Sequence, residues 1–139
     1  MRLGRIGFDH IAGYVTGGMG ALDGRPNLLA RIERITAPTL AELLSGGSPP
    51  VVLDVRTPGE WRQERIADAR HIPLNHLRER VGEVSRAGVK VVTHCASGYR
   101  SSVAASLLRQ HGVSDVADLV GGIAAWKASH LPTLTAAPA

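Results

Sequence analysis

Val89-Lys90-Val91-Val92-Thr93-His94-Cys95-Ala96-Ser97-Gly98-Tyr99-Arg100-Ser101-Ser102 is the stretch that decides the fold. Its first six residues are rich in β-branched side chains and predict a strand over 89–94. A helix is expected over 101–110, where Val103, Ala104, Leu107 and Leu108 form an apolar stripe. Gly112 stands just past it as the C-terminal cap. A strand thus delivers Cys95 to a short loop, and a helix begins where the loop ends.

Working outward, the same alternation recurs. Val51–Val55 reads as a compact apolar strand. Thr57 and Pro58 then open a short helix over 58–62, as N-cap and first helical residue. Ile72-Pro73 marks a brief edge segment, and 75–84 reads as helix. On the far side, 115–119 is a strand and 122–129 a last helix. Upstream, 39–44 is a short helix capped by Thr36 or Thr39, SGGSPP (45–50) is a loop, and 28–34 forms a short helix leading into the domain. Strands alternating with helices predict an α/β fold, a parallel sheet covered on both faces. Ligands of such sheets sit beyond the carboxyl ends of the strands, where Cys95 lies.

The chemistry of that loop follows from its residues. The first turn of the helix offers unpaired N–H groups and a positive dipole end, worth roughly 0.3–1 kcal/mol to a thiolate or bound anion. Arg100 adds a permanent positive charge. Gly98 lets the loop curl so that successive amides point inward as an anion nest. Together these features lower the Cys95 pKa from about 8.5 towards ~7 or below. This is the setting of a reactive nucleophile, not of an inert core cysteine.

Composition bounds the remaining possibilities. The chain has 139 residues, one cysteine and therefore no internal disulfide. Its formal net charge is +4, with 16 basic residues spread along the chain and only 4% aromatics. That pattern argues against a stacking platform for nucleic acid. No apolar run approaches the roughly 20 residues of a membrane span, and the first 15 residues do not read as a signal peptide, so a cytoplasmic address is expected. The six histidines show no metal-ligand spacing, and neither a metal nor a cofactor is expected.

The ends of the chain carry a repeat. Gly7–Leu22 (GFDHIAGYVTGGMGAL) parallels Gly112–Trp126 (GVSDVADLVGGIAAW), with one residue inserted before the double glycine. Gly17-Gly18 falls on Gly121-Gly122, and Ala21 on Ala125. Each copy reads as a helix end, a strand, a Gly-Gly turn and a new helix. Residues 1–28 are therefore expected to be the remnant of an upstream related repeat plus a linker, 29–132 the complete domain and 133–139 a flexible tail.

Three motifs give the domain a family. Cys95-Ala96-Ser97-Gly98-Tyr99-Arg100 resembles the active-site loop of rhodanese sulfurtransferases, of the form C-x-x-G-x-[R/T/S]. Leu53-Asp54-Val55-Arg56-Thr57-Pro58-Gly59-Glu60-Trp61 resembles the family's first signature, and Leu119-Val120-Gly121-Gly122-Ile123-Ala124-Ala125-Trp126 its closing one. The resemblance covers residues 33–131. One departure lies at Glu64-Arg65-Ile66-Ala67-Asp68-Ala69, where the family usually has G-H-I-P-G-A. This puts the local loop conformation in question and leaves the nucleophile untouched.

The resemblance implies a twisted parallel sheet of about five strands flanked by helices. It implies a chemistry too: Cys95 takes a sulfane sulfur from thiosulfate or a small persulfide and passes it to cyanide, sulfite or a thiol. The amides and side chains of Ala96, Ser97, Gly98, Tyr99 and Ser101 would cradle the persulfide, and Arg100 would orient the anionic donor. Asp54 and Arg56 would brace the loop and pair with Glu60. Ser101 is assigned the helix cap. Ser97 either caps or donates to the persulfide, and Tyr99 either lines the mouth or is simply exposed. Trp61 and Trp126 belong to the core, and alternation turns His94 away from the site.

Two other functions compete. A Cys-dependent phosphatase uses the same strand–Cys–loop–Arg–helix logic with five residues between Cys and Arg; here there are four, a cradle better sized for sulfur. A non-catalytic rhodanese-like interaction module usually lacks the cysteine that this chain keeps. The upstream remnant adds a possible context, since it resembles the C-terminal part of fusions that join a metallo-β-lactamase-type persulfide dioxygenase to tandem rhodanese domains.

Overall fold

A computed structural model describes residues 10, 12–84 and 88–135. The chain divides into two units between Arg31 and Ile32. The second unit is built on a five-stranded sheet in the order β1-β5-β4-β2-β3, every pair parallel. The strands are β1 (Glu33–Ile35), β2 (Val51–Asp54), β3 (Arg70–His71), β4 (Val91–His94) and β5 (Val116–Leu119). The helices are α1 (Ala37–Leu44), α2 (Pro58–Gln63), α3 (Leu74–Arg80), α4 (Tyr99–Gln110) and α5 (Gly122–Ala128).

All residues of β4 and β5 are buried, as expected of central parallel strands covered on both faces. Val52, Val92, Ala117 and Leu119 point to one face and pack with Leu40 of α1 and Ile123 and Trp126 of α5. Residues at alternate positions turn to the other face, where α4 packs on β4 and β5. Each such fully buried aliphatic side chain contributes about 1.5–3 kcal/mol.

The local signals act where expected. Thr36 caps α1, accepting from the Thr39 amide. Thr57 and Glu60 form a complete capping box at α2, with Pro58 at the first turn. Gly112 takes a left-handed φ of 86° just past α4.

Four expectations are corrected. Residues 28–34 are not a helix: Glu33–Ile35 is an edge strand, because it finds a partner in β5 through Glu33–Ala117, Arg34–Asp118 and Ile35–Leu119. The edge segment expected at 72–73 lies at Arg70–His71, held by β2. Trp61 is only partly buried; it stacks on His71 at 4.8 Å between ring centroids and carries the Arg65 guanidinium at 5.3 Å. Leu134, placed in the tail, exchanges two 2.8 Å backbone hydrogen bonds with Arg65, while 136–139 lie outside the described residues.

The departure at 64–69 also has a resolution. Asp68 stands where the family usually has glycine, and its φ is +55°. The chain takes a left-handed conformation there, which Asp tolerates better than most residues. Asp68→Val should therefore lower the unfolding free energy by about 1–2 kcal/mol, while Asp68→Gly stays within ~0.5 kcal/mol of the parent, both read by urea denaturation.

In the first unit, Gly18–Leu22 and Pro26–Leu28 are short 3-10 turns without buried residues. No strand precedes Gly17 in residues 12–15, and the expected helix is the 3-10 turn. Gly17 and Gly18 have φ of 84° and 57°, beside 73° and 58° at Gly121 and Gly122. Residues 7–9 and 11 of the repeat lie outside the described residues.

Candidate active site

Cys95 follows β4 directly and is 1% exposed. Gly98, at φ 106°, turns the chain so tightly that α4 begins at Tyr99 rather than at Ser101. That turn aims the Gly98 amide at Cys95 Sγ, 3.1 Å away. Burial pushes the Cys95 thiol up. The Ser101 hydroxyl facing the sulfur and the amides of Ser101, Gly98 and Ser97 outweigh it, and the thiol lies below its ordinary value.

The loop is held from behind by α5. Ile123 N donates to Cys95 O at 2.9 Å and Ala124 N to Ala96 O at 3.1 Å. These bonds turn the loop carbonyls away from the sulfur and leave its amides facing inward. The close approach depends on Gly122, where a Cβ would stand 2.2 Å from Cys95 O and 2.9 Å from Ala96 C and O.

Arg100 reaches across to α2. Its guanidinium grips Glu60 with two bonds of 2.8 and 2.7 Å. Glu60 accepts from the Thr57 amide at 2.9 Å as well. The Arg100 bonds come first among the causes that hold the Glu60 carboxyl down to about 2, so the clamp persists throughout the neutral range. Beside the loop lies a cavity of about 450 Å³, lined by Arg56, Glu60, Gln63, Glu64, Ala96 and Lys127 among others.

Residues 36–129 match the model of the rhodanese-like domain. The chain belongs to the rhodanese-like family. A sulfurtransferase of Allochromatium vinosum is 35% identical over 101 residues, covering 73% of this chain and 94% of the relative. A rhodanese-related protein from Thermoplasma volcanium has a crystal structure similar to this fold, with a TM-score of 0.66 and 33% identity, over 73% of this chain and 97% of that one. A Rhodopseudomonas palustris structure, described as a possible tyrosine phosphatase, matches with a TM-score of 0.61 and 26% identity over 88% of this chain and 98% of that one.

In this rhodanese-like domain the expected site residues converge with three changes. Asp54 and Arg56 do pair in the buried interior, but with each other: Arg56 Nε and Nη2 meet Asp54 Oδ2 at 2.9 and 2.6 Å. Arg56 also donates to Glu64 O at 2.7 Å. A single residue, Val55, separates the pair, and this short reach leaves Glu60 to Arg100. Ser101 is not the cap, since Gly98 occupies that position; Ser101 lies in the first turn, fully buried. Arg100 is near Cys95 yet already bound to Glu60, so its charge is largely answered within the protein.

Tyr99 is 55% exposed, and Ser97 is exposed too. The ring nitrogens of His94 face the Asp54 carboxylate at 3.5 Å and the Cys95 carbonyl at 3.4 Å, not the thiol. Burial pushes the His94 pKa down, against the pull of Asp54, and the ring is neutral. Residues not singled out in the sequence are Gly122, whose double-glycine motif reads only as a turn, Gln63, Glu64 and Lys127 in the cavity, and Asp118, a lone acid in an apolar run. Among the described residues no helix is long and apolar enough to cross a membrane.

Proposed function

We propose that this chain is a sulfurtransferase that carries sulfur on Cys95. The observation that carries the reading is the inward-facing amide cradle, with the Gly98 N–H 3.1 Å from Cys95 Sγ and the thiol pKa depressed. The Cys95 thiolate attacks the outer sulfur of thiosulfate or of a low-molecular-weight persulfide. A new S–S bond forms as the old one breaks, and sulfite or a thiolate leaves with the electron pair. Cyanide, sulfite or a thiol then attacks the outer sulfur of the Cys95 persulfide and returns the thiolate. The loop amides stabilise the negative charge at each stage without rearranging. With Cys95 the only cysteine, the acceptor must come from outside the chain.

Asp54 and Arg56 brace the cradle from below in this reading, Arg100 contributes from within the Glu60 clamp, and no metal or cofactor takes part. Residues 1–28 are read as the tail of an upstream related domain. The shared left-handed glycine pairs support this, and a persulfide dioxygenase or hydrolase module further upstream would supply a small persulfide donor.

A phosphatase reading has the Rhodopseudomonas resemblance in its favour. Against it stand the short loop and a sulfur that is almost enclosed, which suit a small donor better than a bulky phosphoester. Steady-state turnover with thiosulfate and cyanide varied together, beside p-nitrophenyl phosphate hydrolysis, separates the two. Parallel double-reciprocal lines with no phosphatase turnover are expected. Phosphate release without thiocyanate formation would overturn the sulfurtransferase reading.

A further inference from the structure

Three polar atoms between α4 and the sheet are buried without a hydrogen-bond partner: Ser101 Oγ and both carboxylate oxygens of Asp118. The two residues are 0% and 1% exposed. Asp118 turns to the α4 face, because its neighbours Ala117 and Leu119 join the core on the other side. It lies beside Thr93 in the β4–β5 register, and the Thr93 hydroxyl donates to the Ser101 carbonyl at 3.1 Å. The Ser101 side chain thus stands between two acceptors, the Cys95 sulfur and the Asp118 carboxylate, and completes a regular hydrogen bond to neither. A hydroxyl has a single proton to give.

We infer that Ser101 is a two-position donor that couples Cys95 to Asp118. While Asp118 is ionised, the hydroxyl is shared between the carboxylate and the sulfur. When Asp118 takes a proton from solvent, it donates to Ser101 Oγ, and the hydroxyl turns to the sulfur and favours the thiolate. Ser101 and Asp118 are positioning residues here, and the coupling rests on Cys95 being the nucleophile. Burial pushes the Asp118 carboxyl up, so it accepts a proton more readily than an exposed acid. The charges facing the group are Arg34 on β1, 3.8 Å from Asp118 Oδ2, and Arg100 on α4, near Cys95. From β4 it meets the neutral Thr93.

The test is the pH profile of Cys95 alkylation by iodoacetamide, with thiolate absorbance at ~240 nm, on the full chain. A single cysteine makes the signal unambiguous. Asp118→Asn keeps a donor for Ser101 Oγ and removes the competing charge. It should lower the midpoint by about one pH unit, close to a tenfold faster reaction below the midpoint. Ser101→Ala should raise the midpoint, and adding Asp118→Asn to it should change nothing more. An equal Asp118→Asn shift with and without Ser101 would overturn the coupling in favour of a bare field effect, and so would no shift at all. Ser101→Ala removes an unpartnered hydroxyl and should keep the fold. An unchanged midpoint in that variant overturns the coupling even if Asp118→Asn fails to fold. Alkylation reads the thiolate alone, so this result stands apart from whether sulfur is transferred.

Discussion

Gly122→Ala should cost about 2–4 kcal/mol of stability and about a hundredfold in sulfur transfer. The new methyl would stand 2.2 Å from Cys95 O and 2.9 Å from Ala96 C and O, all backbone atoms that no side-chain rotation can clear. Overpacking of this kind costs about 1–3 kcal/mol, and the left-handed φ of 58° adds its own penalty of about 1–2. Either α5 backs away or the loop shifts. In both cases the bonds from Ile123 N and Ala124 N to the loop carbonyls are lost, and the cradle amides lose their aim. A displacement near 1 Å at a reacting centre is worth about a hundredfold in rate. Gly112→Ala is the matched control. Its φ is 86° with nothing within 4 Å of the added Cβ, so it should pay the backbone penalty alone and keep its activity. Equal activity losses in the two variants would remove the close approach from the account.

Arg56→Ala should destabilise the domain by about 3–5 kcal/mol, measured by urea or thermal unfolding. Arg56 and Asp54 are 3% and 0% exposed, and each is the other's partner. Removing the guanidinium leaves a carboxylate in the interior with no counter-charge, and leaves Glu64 O without its 2.7 Å donor. The double variant Arg56→Met, Asp54→Leu tests the cause. If an uncompensated charge dominates, it should recover much of the loss, because buried ion pairs replaced by apolar groups are often neutral. A double variant as unstable as the single one would shift the weight to the lost bonds at Glu64 O and the Arg56 amide.

The parts of the fold legible in the sequence are those fixed by neighbours in the chain. The β-branched runs of β2 and β4, the Thr57 N-cap with Pro58 and the Gly112 cap need no tertiary information, and they place Cys95 at the sheet's carboxyl edge. Strand β1 was not legible, because three residues of an edge strand have no signature until β5 lies beside them. The start of α4 was misplaced because a left-handed Gly98 takes the role that a serine side chain usually fills. The partners of the charged residues followed reach: Asp54 bends back to Arg56, two positions away, and frees Glu60 for Arg100 from another element. Gly122 and Asp118 stayed silent for a common reason. Their roles depend on what lies against them across the sheet edge or under α4, and spacing along the chain does not encode that.

The central claim is that Cys95 carries the sulfur, and intact mass tests it most directly. The protein is incubated with thiosulfate or glutathione persulfide, weighed beside Cys95→Ser, and weighed again after cyanide is added. The account predicts a gain of one sulfur atom that requires Cys95 and disappears as thiocyanate is released. No gain from either donor, or the same gain in Cys95→Ser, would contradict it.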